Sequence, residues 1–369
     1  MKLIAQIKLL PTPEQAQALR QTLEVANMAC NYISNQAWDN QTFRQFSLHK
    51  LTYYAVKDMF QLAAQMVVRC ISKVADAYKL DRKTKRTFRP HGAIAFDNRI
   101  LTWRMETRAI SIWTVAGRTT IPFTCGKRQL ELLMGQRGES DLCLVKGKFY
   151  LCAVCDVATP APMEVEGVLG VDLGIVNIAS DSNGGGFSGA SIEVNRRRFA
   201  HRRKNLQKKQ TKSAKRKLKQ ISGRRARFQK ITNHVISKSI VQIAYDTHRV
   251  IALEDLGGIR EAPVRRKQRA KHANWSFYQL RHYISYKAEQ VGIPVILVDP
   301  RNTSRTCPVC GCVDKANRKS QSVFLCIQCS FSVHADYVAS LNIRDRAIVN
   351  SPMVSTFGLG TMPRSLAAG

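Results

Sequence analysis

The chain has 369 residues, 44% of them apolar, enough to bury a substantial core split among several domains. Lys and Arg number 58 against 26 Asp and Glu, giving a formal charge of +32 and a pI near 10.1. Such an excess selects a polyanionic partner, nucleic acid before an anionic membrane surface. No apolar run approaches the roughly 18 residues that span a bilayer, and MKLIAQIKLL is too short an apolar stretch to read as a signal peptide.

Residues 2–9 alternate as a strand. Pro11-Thr12-Pro13 then opens a helix with Leu19, Leu23, Ala26 and Cys30 at helical spacing. Helical patterns continue over 47–58 and 60–80, where Tyr53, Tyr54, Lys57, Phe60, Arg69, Lys73, Tyr78 and Lys79 mix rings with cations. That mixture suits a nucleic-acid face and an ordinary amphipathic bundle equally. From about 88 to 157 the period falls to two: ILTWRM, RAISIWT, RTTIPF, DLCLV and KFYLCAV read as strands, the last two joined as a hairpin at Lys146-Gly147. Short strands at this spacing predict a small barrel or sandwich, with the strand at 2–9 as a member and the helices inserted.

Residues 159–167 read as a linker, followed by strands at 168–172 and 175–180 and a glycine turn at 184–186. Residues 191–247 are largely helical. Between Arg196 and Lys230, 17 of 35 residues are Lys or Arg, interleaved with Leu206, Leu218, Ile221 and Phe228. This predicts a basic helical pair lining a nucleic-acid channel, with Arg202, Arg203, Lys208, Lys209, Arg216 and Lys217 as contacts. A strand at 249–254, a basic loop at 260–272 (Arg265, Arg266, Lys267, Arg269, Lys271), the helix WSFYQLRHYISYKAEQ and the strand PVILVD follow. A helix at about 335–349 and a Gly/Ser/Pro-rich tail at 350–369, read as disordered, complete the chain.

Two C-x-x-C pairs, Cys307/Cys310 and Cys326/Cys329, stand fifteen residues apart, the spacing of a structural Zn²⁺ site. Cys312 is read as lying outside that quartet, and Cys152 and Cys155 as strand cysteines pointing to opposite faces. Arg305, Lys315, Arg318, Lys319 and Phe324 give the cysteine segment a surface for nucleic acid. Eleven cysteines without a secretory signal indicate a reducing compartment. Three acids occupy special settings: Asp172 and Glu254 end apolar strands, and Asp336 opens the last helix. An α/β layer order can gather strand ends and a helix start. Gathered carboxylates repel unless a cation lies between them, and hard oxygen ligands select Mg²⁺ or Mn²⁺. Two such ions hydrolyse phosphodiesters. The residues therefore predict a metal-dependent nuclease, with a DNA-binding repressor or a transposase/resolvase as alternatives.

GVDLGIVNIAS, the basic helical stretch, IALEDLGG, WSFYQLRHYISYKAEQVGIPVILVDPRNTSRTCPVCG and HADYVASLNI together resemble the TnpB family, transposon-encoded nucleases related to type V CRISPR effectors. The match covers about 165–348; upstream it rests on order and length. The resemblance implies a RuvC-type, RNase H-like nuclease domain over 165–302 and 334–349, carrying catalytic Asp172, Glu254 and Asp336. It implies an inserted zinc ribbon for target nucleic acid at 303–333, a wedge β-barrel at 1–10 and 88–160, and a helical recognition domain at 11–87. The implied activity is RNA-guided cleavage of double-stranded DNA beside a short motif, by a monomer carrying a noncoding RNA from the transposon end, in a bacterial or archaeal cytoplasm. Val338 stands where the family often has Asn.

Overall fold

A computed structural model describes residues 1–174, 176–256 and 277–350. The basic loop at 260–272, Trp275 and the tail from 351 lie outside them. The chain divides into two units, Met1–Ala158 and Thr159–Gly369.

The first unit begins with β1 (Lys2–Leu9) and the helices α1 (Pro13–Asp39), α2 (Gln45–Phe60) and α3 (Ala64–Leu80). Thr12 starts α1 with a reciprocal cap: its side chain accepts from the Gln15 backbone N–H, and the Gln15 side chain accepts from the Thr12 backbone N–H. Strands β2 (Ile94–Phe96), β3 (Leu101–Arg104), β4 (Ala109–Thr114) and β5 (Gly117–Thr124) follow, then helix α4 (Lys127–Leu133) and strands β6 (Gln136–Val145) and β7 (Lys148–Asp156). These strands form one seven-stranded sheet in the order β2-β6-β7-β1-β5-β4-β3. Its two edges, β2 and β3, are joined only by residues 97–100. Five Cα steps reach at most about 18 Å, whereas seven flat strands would hold their edges roughly 29 Å apart. The sheet must therefore curl until it nearly closes. At the β6–β7 hairpin Lys146 (φ 51°) and Gly147 (φ 76°) are both left-handed, the turn whose twist suits a two-residue connection.

Helix α4, seven residues long, and strand β2, three residues long, escaped the sequence reading, since each repeats its pattern fewer than two times. Several residues grouped there as possible nucleic-acid contacts are buried or already paired within this unit. Tyr78 is fully buried and its hydroxyl pairs with that of Ser34 at 2.9 Å. Lys73 donates to Asn27 Oδ1 (2.7 Å) and the Ala93 carbonyl (2.9 Å), and Arg69 pairs with Glu139. Tyr54, in contrast, is 81% exposed.

The second unit is built on a five-stranded sheet, β10-β9-β8-β11-β12. Its strands are β8 (Gly167–Asp172), β9 (Asn177–Asp181), β10 (Gly186–Ser188), β11 (Arg249–Glu254) and β12 (Val295–Val298). Strands β8, β9 and β10 run antiparallel to their neighbours in that series, while β8, β11 and β12 are parallel. Helices α5 (Ala190–Lys209), α6 (Lys212–Ile221) and α7 (Arg224–Asp246) connect β10 to β11, and α8 (Phe277–Glu289) precedes β12. After β12 come β13 (Val323–Leu325), β14 (Ser332–His334) and α9 (Ala335–Asn350).

Both sheet faces are covered, which is why β8 and β11 read as unbroken apolar runs. Leu169, Val171, Ile251 and Leu253 pack against Ile236, Ile240 and Ala244 of α7 and Leu280, Ile284 and Ala288 of α8. The alternate residues Val168, Val250 and Ala252, with Val298, face Ile343 and Ala347 of α9. Gly170 shares that second face. A Cβ on it would lie 2.1 Å from the Ser340 carbonyl oxygen and 2.7 Å from the Arg344 nitrogen, both backbone atoms of α9. Backbone cannot yield as a flexible side chain does, so only glycine admits the helix this close. Gly170→Ala is expected to destabilise the unit by about 1–3 kcal/mol or more, read as a lower denaturation midpoint. An unchanged midpoint would mean α9 is not held at this distance.

Candidate active site and cysteine cluster

Strand parity determines where the acids point. Side chains two residues apart share a face, so Asp172 follows Val168 and Gly170, and Glu254 follows Val250 and Ala252, onto the face covered by α9. The last register pair of these strands is Leu253 with Val171, which sets Glu254 and Asp172 side by side at the sheet's carboxyl edge. Asp336 enters from the first turn of α9. Glu254 and Asp336 are each only 9% exposed. Burial drives the Asp172 carboxyl well above the usual carboxylate range, and the charges of Glu254 and then Asp336 drive it further. Burial also raises Glu254, opposed by the Thr303 hydroxyl and by the Arg346 and Arg318 guanidiniums.

Several side chains hold this repelling set. The Asn177 amide on β9 donates to Asp336 Oδ2 at 2.9 Å. Thr303 Oγ1 donates to Glu254 Oε1 at 2.5 Å. Arg318, which lies between the two cysteine pairs, reaches Asp336 Oδ1 at 3.7 Å and lowers both Asp172 and Glu254. In the sequence Arg318 counted only as one basic neighbour of the cysteines; a fold in which the cysteine segment immediately precedes the acid's helix was the available clue. Thr303 and Asn177 carried no signal of their own beyond lying inside recognisable stretches.

The cysteine segment forms two equivalent knuckles. In each, the first Cys carbonyl accepts from the backbone four residues on, Gly311 (3.0 Å) or Ser330 (3.1 Å), and the first Cys N–H donates to the carbonyl five residues on, Cys312 or Phe331 (both 2.9 Å). The turning residues Gly311 (φ 74°) and Ser330 (φ 58°) are both left-handed. The Sγ atoms of Cys307, Cys310, Cys326 and Cys329 all lie within 4.8 Å of one another, with Cys307–Cys329 at 3.6 Å and Cys310–Cys326 at 3.5 Å. A zinc tetrahedron with 2.3 Å bonds has edges of about 3.8 Å, so the donor set fits that ion. Burial pushes the Cys326 thiol up, but N–H groups of Cys329 and Gln328 and the neighbouring Cys310 and Cys329 thiols bring it down to about 6, while burial first and the Cys329 and Cys310 thiols push Cys307 up to about 12; the four thiols share their protons, and a metal would have to displace those that remain. Cys312 stands outside the quartet and packs with Phe324, Phe331 and Val338. Phe324 is fully buried there rather than offered to nucleic acid. Val338 is also buried in this cluster, so its side chain serves the joint between α9 and the cysteines.

Among the described residues the cysteine quartet is the group of three or more such ligands close enough for one ion. The three carboxylates act on one another through charge without converging to that degree. Their chemistry nonetheless suits a divalent cation: they are hard oxygen donors, and burial raises the proton affinity of Asp172 and Glu254, which nearby positive charge lowers.

All six predicted basic contacts are exposed: Arg202, Arg203, Lys208 and Lys209 on α5, and Arg216 and Lys217 on α6. Helix α5 buries no residue at all. Glu193 neutralises Arg196 and Arg197 at its start; among the described residues none of the six pairs with a carboxylate. Arg305, Lys315 and Lys319 on the cysteine segment are likewise exposed.

Residues 151–257 match the profile of the probable transposase family OrfB_IS605, and residues 277–343 match the Cas12f1-like TNB domain. The CRISPR-associated endodeoxyribonuclease Cas12f1 of Sulfoacidibacillus thermotolerans is 40% identical over 127 residues, 34% of this chain and 29% of that protein. The chain thus spans less than a third of that relative. A cryo-EM structure of a Cas12f1-sgRNA-target DNA complex superposes with a TM-score of 0.59 at 16% identity, covering 89% of this chain and 81% of that one, a likeness of fold. The TnpB-like protein MJ0751 of Methanocaldococcus jannaschii is 31% identical over 195 residues, 49% of this chain and 69% of the relative. With that relative spanned over more than two thirds of its length, the chain belongs to the TnpB family.

Proposed function

We propose that this chain is an RNA-guided DNA endonuclease of an insertion sequence, cutting at a RuvC-like site composed of Asp172, Glu254 and Asp336. The observation that carries the reading is the parity of β8 and β11, which turns two strand-end carboxylates toward the helix bearing the third, with Arg318 alongside. A nuclease needs such a concentration of buried acid; a protein that only binds DNA does not. Two likenesses support it: one relative is named an endodeoxyribonuclease, and the matching complex is one of Cas12f1 with sgRNA and target DNA.

Divalent ions, Mg²⁺ or Mn²⁺, held by the three carboxylates would activate water and neutralise the departing oxygen of a phosphodiester. The chain's own residues prepare for this. Asn177 and Thr303 fix one oxygen each of Asp336 and Glu254, and Arg318 supplies a positive charge beside Asp336 for an incoming phosphate. The cysteines hold Zn²⁺ and brace the segment carrying Arg318. In this reading the seven-stranded sheet, residues 1–10 and 88–160, is the wedge, 11–87 the recognition domain and 303–333 the target-binding ribbon. The exposed cations of α5 and α6 run along phosphates, leaving sequence to base pairing. In this reading one copy of the chain works in a cytoplasmic ribonucleoprotein, and the +32 charge suits its nucleic-acid partners. The transposase description of the OrfB_IS605 family favours a second reading, strand transfer without RNA. RNA recovered with the purified protein distinguishes them: a defined, protected RNA supports guiding, and an RNA-free active protein overturns it.

Asp172→Asn is expected to reduce Mg²⁺-dependent cleavage more than about a hundredfold and, without metal, to raise the melting temperature at neutral pH. The sign follows from linkage. Asp172 and Glu254 bind protons more tightly folded than unfolded, so ionising them costs stability as pH rises from the unfolded value near 4 toward the elevated folded one. The stabilisation should shrink as pH is lowered, and Mg²⁺ should raise the wild-type melting temperature more than the variant's. Equal cleavage by the variant would remove Asp172 from the site.

Arg318→Gln should lower cleavage by about a hundredfold with zinc content, measured by metal analysis, unchanged. Full activity would reduce Arg318 to a surface cation.

Replacing the six cations of α5 and α6 with Gln should flatten the plot of log affinity against log salt by about 0.9 for each phosphate no longer neutralised. An unchanged slope would identify a solvated face.

A further inference from the structure

The segment between β12 and the first cysteine, residues 299–306, is fastened at both ends of a short chain of contacts. Asn302 adopts a left-handed φ of 58°, a conformation its short polar side chain tolerates. Its carbonyl accepts from the Arg305 N–H (2.9 Å), the Thr306 N–H (3.0 Å) and the Thr306 hydroxyl (2.9 Å). The tight turn leaves Thr303 only 3% exposed. Thr303 Oγ1 lies 2.5 Å from Glu254 Oε1 and 3.1 Å from the Pro300 carbonyl. A hydroxyl has one proton, and the shorter, charge-assisted contact takes it. The Thr303 backbone is held in turn by Asn342, 6% exposed on α9, whose amide donates to the Thr303 carbonyl at 2.6 Å and the Thr306 carbonyl at 2.8 Å. Asn342 thereby satisfies two loop carbonyls that burial would otherwise strand.

We propose that Thr303, locked by Asn342, is the positioning residue of Glu254, so that this acid is aimed from the same helix that carries Asp336. The inference rests on the nuclease reading of the three acids. It goes beyond that reading in assigning Glu254's orientation to a side chain outside the acid set. The Thr303 hydroxyl restricts one Glu254 oxygen to a single direction and leaves the other for a cation. Because Thr306 adjoins Cys307, the same turn transmits the position of the cysteine cluster to Glu254.

The test is Mn²⁺ binding to the full-length, zinc-loaded protein, followed by electron paramagnetic resonance of free and bound Mn²⁺. Thr303→Val keeps the shape and removes the hydroxyl; Thr303→Ser keeps the hydroxyl. Thr303→Val is expected to bind Mn²⁺ about 10–100-fold more weakly, with zinc content unchanged, and Thr303→Ser to bind within a few-fold of wild type. Thr303→Ala, which only removes atoms, is a second hydroxyl-free variant with the same expectation should Thr303→Val not fold. Wild-type affinity in both hydroxyl-free variants overturns the inference while leaving the acid site in place. Thr303→Ser as weak as Thr303→Val overturns it too, because packing of the methyl would then be the cause. Absence of Mn²⁺ binding by wild type, or binding unaffected by Glu254→Gln, overturns the nuclease reading itself.

Discussion

The second unit depends on one close contact, the approach of α9 to β8 across Gly170. Without a Cβ at that position the helix backbone lies directly on the strand, and every distance at the sheet's carboxyl edge follows. Val168, Val250 and Ala252 pack beneath Ile343 and Ala347 because the helix is low enough to touch them. Asp172 and Glu254, which continue the same two strand faces, emerge beside the helix's first turn. A helix riding one side chain higher would bury the same apolar residues less well and carry Asp336 away from the other acids. Packing of the sheet and concentration of charge are therefore a single structural event.

That event has an electrostatic cost. Burial lifts Asp172 and Glu254 above their ordinary proton affinity, and the charges of Glu254 and Asp336 lift Asp172 further; Arg318 and Arg346 by charge and Thr303 by its hydrogen bond offset part of it, while Asn177 holds Asp336 in place. These groups come from β9, from the turn after β12, from the cysteine segment and from α9. The site is thus assembled by tertiary structure rather than by any one motif.

This distribution explains what could be read from the sequence. The cysteine quartet was legible because its geometry is local: two knuckles of identical hydrogen bonding, each within six residues. The acids were legible by position, at the ends of GVLGVD and VIALE and the start of a helix, since strand ends and helix starts are where an α/β layer exposes side chains. The hairpin at Lys146-Gly147 announced itself through its glycine. The groups that orient the acids were not legible, because Thr303 lies 49 residues from Glu254 and Asn177 lies 159 from Asp336, and no periodicity links such pairs. Aromatic and basic residues of α3 left two readings open for a related reason: Tyr78 and Lys73 satisfy partners on α1, which composition alone does not reveal.

The cysteine cluster interrupts the path from β12, which ends at Val298, to α9, which starts at Ala335. A free connection of about three dozen residues would let the two ends wander. A metal clip between the knuckles would leave only residues 299–306 and 330–334 as connecting chain, and the entropy of closing a loop changes by only about 0.6 kcal/mol for each doubling in length. The gain from shortening is thus near 1 kcal/mol, too little to explain the clip as a tether. Its larger effect is on stiffness. Two short arms would then tie the position of the cluster to Glu254 on one side and to Asp336 on the other, where a longer loop would absorb a displacement.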